Sequence, residues 1–152
     1  MILYRIAREK HASDLSGNGG LISSAQWHDH MLVIYSSLTS STCILETLVH
    51  VQAEEIHHDL HMIVMEAPDN ISSEILTAPQ LPLNWNEIPG PPILKQIGNA
   101  WLRARSSALL IVPSAVDPFA RNVIINPLHK DISLISIKKT MPYTYDQRVL
   151  FR

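Results

Sequence analysis

A chain of 152 residues, 46% hydrophobic and 17% charged, has the length and apolar content for one globular domain with its own core. Its formal charge of −2 argues against a nucleic-acid grip resting on bulk positive potential. The single cysteine, Cys43, excludes an internal disulfide framework and suits a reducing compartment. Arg5, Arg8, Glu9 and Lys10 interrupt the N-terminal segment, so it does not read as a signal peptide. No apolar stretch approaches the ~20 residues that span a bilayer. The expected location is cytoplasmic, with no membrane association.

In chain order, Met1 to Ala7 predicts a short strand with Arg5 near its end. Ser16-Gly17-Asn18-Gly19-Gly20 predicts a turn, because glycine and asparagine adopt positive φ at little cost. Met31 to Tyr35 reads as a buried strand, and the polar run Ser36 to Thr42 supplies N-caps for a helix from Ser41 to about Gln52. Ile44, Leu45, Leu48 and Val49 recur at helical spacing and predict its apolar face. Cys43, among Thr42, Ile44 and Leu45, is expected to be a buried thiol.

His61 to Ala67 predicts another strand, and the proline-rich stretch from Pro68 to Pro92 predicts irregular chain. Ile93 to Arg103 predicts a helix with Ile97, Trp101 and Leu102 inward, although Gly98 weakens that pattern. Ala108 to Val112 predicts a strand closed by Pro113. Asn122 to Ile125 and Ile132 to Ile137 predict two more, with a last one near Arg148 to Phe151. Strands with two helices and no strict βαβ alternation predict an α+β domain over residues 1–152, with a mixed or antiparallel twisted sheet.

Four polar residues stand on separate elements. Arg5 follows Tyr4 in the first strand; a guanidinium there can grip a pyrophosphate bidentately, or can be an ordinary surface arginine. Tyr35 leads into Ser36-Ser37, where its ring can stack on a base or pack in the core. Glu46 borders the apolar face of its helix. There it can stabilise a developing positive charge, or it can be a solvated carboxylate pairing with His50. Ser114 lies just past a strand and a proline, as a ligand-binding hydroxyl or a plain loop serine, with no base fixed beside it to activate it. Asn126-Pro127 predicts a turn with Asn126 structural, while His129 stands open between orienting and structural roles. His57 and His61 have the i, i+4 spacing of a zinc pair, but His61 opens a strand and no HExxH or CxxC pattern accompanies them, so no metal site is expected.

Tyr4-Arg5-Ile6, the glycine-rich turn, Trp27, Tyr35, Glu46, Trp85, Gly98-Asn99-Ala100-Trp101, Pro113-Ser114, Asn126-Pro127-Leu128-His129 and Tyr145-Asp146-Gln147-Arg148 come in one order along nearly the whole chain. In that order they resemble the RES-domain family of bacterial toxins that consume NAD. The resemblance implies a fold similar to ADP-ribosyltransferase toxins. It implies NAD as substrate, with no further cofactor, broken at the nicotinamide–ribose bond by hydrolysis or phosphorolysis. It also implies a type II toxin–antitoxin pair with an Xre-like antitoxin of helix-turn-helix type. By the same resemblance Arg5 binds the phosphate or ribose portion, Tyr35 packs on a ring, Glu46 stabilises the ribosyl cation and Ser114 hydrogen-bonds the nucleotide.

One departure stands out. The family's usual arginine before the tryptophan is Gln26 here, which keeps hydrogen bonding but brings no charge. A charge-assisted bond is worth ~1.5–3 kcal/mol, so the change is expected to weaken NAD binding by roughly one to two decades. Two other readings follow from the same residues. One is a protein ADP-ribosyltransferase, in which a protein captures the same cation. The other is a catalytically degenerate domain kept to bind its antitoxin, which Gln26 alone favours. Apolar surface in the proline-rich region offers a place for a homodimer or for antitoxin docking.

Overall fold

The computed structural model describes residues 1–51 and 56–150. Seven strands form one sheet: β1 (Ile2–Arg8), β2 (Ile34–Ser37), β3 (Leu60–Glu66), β4 (Ser73–Ile75), β5 (Leu109–Pro113), β6 (Arg121–Ile125) and β7 (Ser136–Pro142). Their order is β4-β5-β6-β2-β1-β3-β7, and every pair is antiparallel except β4 with β5. Four helical segments accompany the sheet: α1 (Gly19–Ile22), α2 (Ser40–Leu48), α3 (Ile93–Ala104) and α4 (Gln147–Leu150). The α+β class and the mixed sheet are as the sequence predicts.

Strand alternation gives the sheet two apolar faces. Leu3, Ile34, Ile63, Met65, Leu109, Ile111, Val123 and Ile125 build one, covered by Ala12, Ala67, Ile71 and Ile135 from the connections. Leu110, Val112 and Ile124 build the other, covered by Trp27 and Val33 and by Leu94, Trp101 and Leu102 of α3. Gly98 lets α3 approach: a Cβ there would lie 1.7 Å from the Trp27 carbonyl oxygen, so the helix backbone rests on the Trp27 segment.

The feature that positions the site is a parting of the sheet. β1 pairs with β3 along its whole length but with β2 only at Tyr4↔Ser37. Beyond that point the chain leaves β2, Thr39 Oγ1 accepts from the Thr42 amide at 3.1 Å, and α2 begins. The helix then packs against β1, β2 and β6.

Several elements differ from expectation. The strand foreseen at Met31–Tyr35 begins three residues later, because the Val33 amide bonds to the Gly17 carbonyl (3.3 Å) and holds the earlier residues off the ladder. Gly17 itself has φ +74°, as its turn requires. The proline-rich stretch contains β4, a short parallel edge strand beside β5. The residues foreseen as a strand from Ile132 start as a 3-10 turn, Lys130–Leu134, and the strand runs from Ser136 to Pro142. Gln147–Leu150 is a helical turn, opened by Asp146 accepting from the Arg148 amide at 2.9 Å; Phe151, the end of the strand foreseen there, lies outside the described residues. Gln52, the foreseen end of α2, also lies outside them.

The largest revision concerns α2. Its buried residues are Thr42 and Cys43, with Glu46 half-buried one turn on, while Leu45 and Val49 are exposed. Of the four residues whose spacing predicted the apolar face, Ile44 and Leu48 are half-buried while Leu45 and Val49 are exposed, because the surface that the helix meets includes polar strand ends.

Candidate active site

The parting of the sheet brings Glu46 and Ser114 together. The Ser114 hydroxyl donates to Glu46 Oε1 at 2.6 Å, and the Asn122 amide donates to the same oxygen at 2.5 Å. Asn122 stands opposite Ser37 in the β2–β6 ladder, and the Ser37 hydroxyl donates to its Oδ1 at 2.7 Å. Ser114 and Ser37 are both buried. Alternation along the strands puts Tyr35, Ser37 and Asn122 on the α3 face of the sheet.

Tyr35 lies two residues before Ser37 on that face. Its hydroxyl meets Nδ1 of the buried His28 at 2.9 Å. The other nitrogen, Nε2, faces two carbonyls, Ser23 O at 2.9 Å and Gly20 O at 3.2 Å. Carbonyls accept only, so Nε2 carries the proton and Tyr35 donates to Nδ1. Burial holds His28 below the ordinary imidazole range, against the opposing pull of the Ser23 and Gly20 carbonyls. Burial likewise raises the Tyr35 phenol far above its ordinary range, so it stays a neutral donor.

Arg5 is placed differently. By alternation it follows Leu3 onto the opposite face, where one guanidinium nitrogen donates to the Asp14 carbonyl at 2.7 Å. It does not touch Glu46. Arg5 is half-buried and forms no ion pair among the described residues. Desolvation lowers its pKa, partly offset by the charge of Asp14. Cys43 feels both charges: burial pushes its thiol up to about 11, with smaller effects from Glu46 raising it and Arg5 lowering it.

Gln26 Nε2 donates to the Trp85 carbonyl at 3.0 Å. Asn126 and His129 make local bonds. Asn126 donates to the Leu102 carbonyl (3.0 Å) and accepts from the Leu128 amide (3.1 Å), and His129 Nδ1 accepts from the Asp131 amide (3.1 Å) to cap the following turn. Sequence reasoning gave no role to Asn122, Ser37 or His28. The first two had one usable signal, since a polar side chain inside an apolar strand must find a buried partner. His28 had none beyond its place beside Trp27.

Fold and site together describe an α+β protein that presents one bonded carboxylate where its sheet parts. The chain belongs to the RES domain family, whose model matches residues 2–146. It is similar to the Prs ADP-ribosylating toxin of Sphingobium sp. (strain YBL2), with 31% identity over 95% of this chain and 91% of that protein. It is similar also to Toxin Res of Photorhabdus laumondii subsp. laumondii, with 34% identity over 99% of this chain and 97% of the relative. Toxin Res of Yersinia enterocolitica is 33% identical over 98% and 99%. Among solved structures, a chain of the M. tuberculosis MbcT–MbcA toxin–antitoxin complex superposes with a TM-score of 0.75, covering 94% of this chain and 84% of that one. At 18% identity that likeness shows the shared fold alone. No helix among the described residues is long and apolar enough to cross a membrane.

Proposed function

We propose that this chain is the toxin of a toxin–antitoxin pair and that it breaks the nicotinamide–ribose bond of NAD. The observation that carries the reading is the half-buried Glu46 carboxylate, bonded through one oxygen and set at the parting of the sheet. When the glycosidic bond breaks, its electron pair leaves with the nicotinamide nitrogen, and the ribose becomes an oxocarbenium-like cation. A fixed carboxylate in a partly desolvated site stabilises that charge as it forms. Water then adds to the cation and loses a proton, giving ADP-ribose; phosphate in its place gives ADP-ribose-1″-phosphate.

In this reading Arg5 meets the dinucleotide from the opposite face of the parted sheet and supplies its counter-charge. A half-buried guanidinium with no ion pair among the described residues bears a desolvation cost that an anionic ligand offsets. Among the described residues only one of its five N–H groups is committed, to the Asp14 carbonyl. In this reading Tyr35 packs on a ring of the dinucleotide and Gln26 borders the binding site without adding charge. The partner is an antitoxin protein, in line with the complex in which the structural neighbour was solved. The expected setting is the cytoplasm.

A second reading has a specific observation behind it: one relative is named an ADP-ribosylating toxin. A protein acceptor would capture the same cation, so Glu46 and Arg5 keep their roles. Product analysis of the purified chain with NAD, with and without phosphate, beside Glu46→Gln, separates the cases. Free nicotinamide that vanishes in the variant supports cleavage through Glu46, and the co-product names the acceptor. Nicotinamide release only when a protein acceptor is added selects the second reading. No release under any condition refutes both.

A further inference from the structure

The Glu46 carboxylate is held asymmetrically. Oε1 takes both the Ser114 and the Asn122 bonds, and Oε2 takes none among the described residues. Each donor is in turn fixed from behind. An asparagine amide can present either end. Here the Ser37 hydroxyl, whose one proton goes to Oδ1 at 2.7 Å, turns the N–H end toward Glu46. Flipping the amide would sacrifice both bonds, and the buried Ser37 has no water to fall back on.

Ser114 is more fully committed. Its proton is on Glu46, and its oxygen accepts from the backbone amides of Asp117 at 3.0 Å and Val116 at 3.3 Å. A hydroxyl offers one donor and two acceptor positions, and all three are used. With 1% of its surface exposed, Ser114 has nothing left to offer a nucleotide.

We propose that Ser114, Asn122 and Ser37 are positioning residues that clamp Glu46 through Oε1, and that the bare Oε2 faces the sugar that becomes cationic. Ser114 then acts through Glu46 and not by bonding the nucleotide, as the family resemblance alone would have it. The terminal torsion of a glutamate is broad and loosely held. Two donors on one oxygen remove that freedom before substrate arrives, so the charge needs no reorganisation when the cation forms. This proposal rests on Glu46 being the group that stabilises the cation.

Two measurements test it, one of them without substrate. In ¹⁵N–¹H spectra of the full chain, the Asn122 side-chain signals are identified by their absence in Asn122→Asp. They should stand downfield of ordinary amides and return to the common range in Glu46→Ala and in Ser37→Ala. Signals unmoved in Glu46→Ala overturn the clamp, whatever the substrate is.

In nicotinamide release from NAD, Ser114→Ala and Asn122→Ala should each lower kcat roughly ten- to a hundredfold. KM should stay within about twofold. Ser37→Ala should cost less, and almost nothing when added to Asn122→Ala, because it acts only through that amide. A KM raised about tenfold in Ser114→Ala with kcat retained would show direct contact with the nucleotide and overturn the assignment. Additive loss in the double variant would likewise overturn the Ser37 link. If Asn122→Ala does not fold, Asn122→Leu, close in size and without a polar group, replaces it in the kinetic comparison. A wild-type chain that releases no nicotinamide removes the NAD reading, and the amide signals alone then decide for or against the clamp.

Discussion

Gly98→Ala isolates the contact that sets the Trp27 segment on α3. In a helix interior that exchange ordinarily stabilises by ~1 kcal/mol, since alanine has the better propensity. Here the new methyl would come within 1.7 Å of the Trp27 carbonyl oxygen and 2.7 Å of its carbonyl carbon. Both are backbone atoms, so relief requires moving a main chain and not swinging a side chain. Overpacking of this kind costs about 1–3 kcal/mol, and the upper part of that range applies where backbone must move. The net expectation is a loss of about 1–2 kcal/mol, or a Tm lowered by roughly 2–8 °C for a chain of this size. Trp27 lies between Gln26 and His28, and His28 holds the Tyr35 hydroxyl. Activity should therefore fall further than the stability loss alone accounts for. Urea denaturation followed by tryptophan fluorescence, with nicotinamide release measured well below the transition, reads both. A variant as stable as the wild type would refute the contact argument.

Other expectations follow from the same structure. His28→Phe keeps the ring but leaves the Tyr35 hydroxyl and two carbonyls without their partner, which should cost about 1–3 kcal/mol at neutral pH. Because burial lowers the folded-state pKa of His28, the unfolded chain takes up the proton first as pH falls below about 6.5. The stabilising contribution is therefore full above that pH and declines from there toward the folded pKa. The wild-type advantage over His28→Phe should narrow between pH 7 and pH 5 in denaturant titrations, and a difference independent of pH contradicts the assignment. Burial raises the Cys43 thiol to about 11, so iodoacetamide at neutral pH should label it only as fast as the chain opens. Complete labelling of the native protein within minutes would show otherwise. Gln26→Arg should tighten NAD roughly ten- to a hundredfold in calorimetric titration; an unchanged Kd would mean that this position does not face the phosphates.

The sequence by itself determined the elements whose signals are local. β1, β3, β5, β6 and α3 lie within a residue or two of their predicted bounds, because each is a short apolar run or a helical repeat read from its own neighbours. The cap region before α2 and the turn at Gly17 were legible for the same reason; Arg5, expected near the end of its strand, stands instead in the middle of β1 opposite Ile63. Tertiary structure decided what those residues meet. Leu45 and Val49 mark an apolar stripe on α2, yet the helix buries Thr42 and Cys43, because the surface that it packs on offers backbone and polar strand ends. Arg5 lies on the opposite sheet face from Tyr35, a consequence of strand register that no local pattern contains. The bonds that join Glu46 to Ser114 and Asn122 cross 68 and 76 positions of chain. A carboxylate's partners at that separation follow from strand order and pairing, which depend on how the whole sheet buries its two faces and not on the residues beside it.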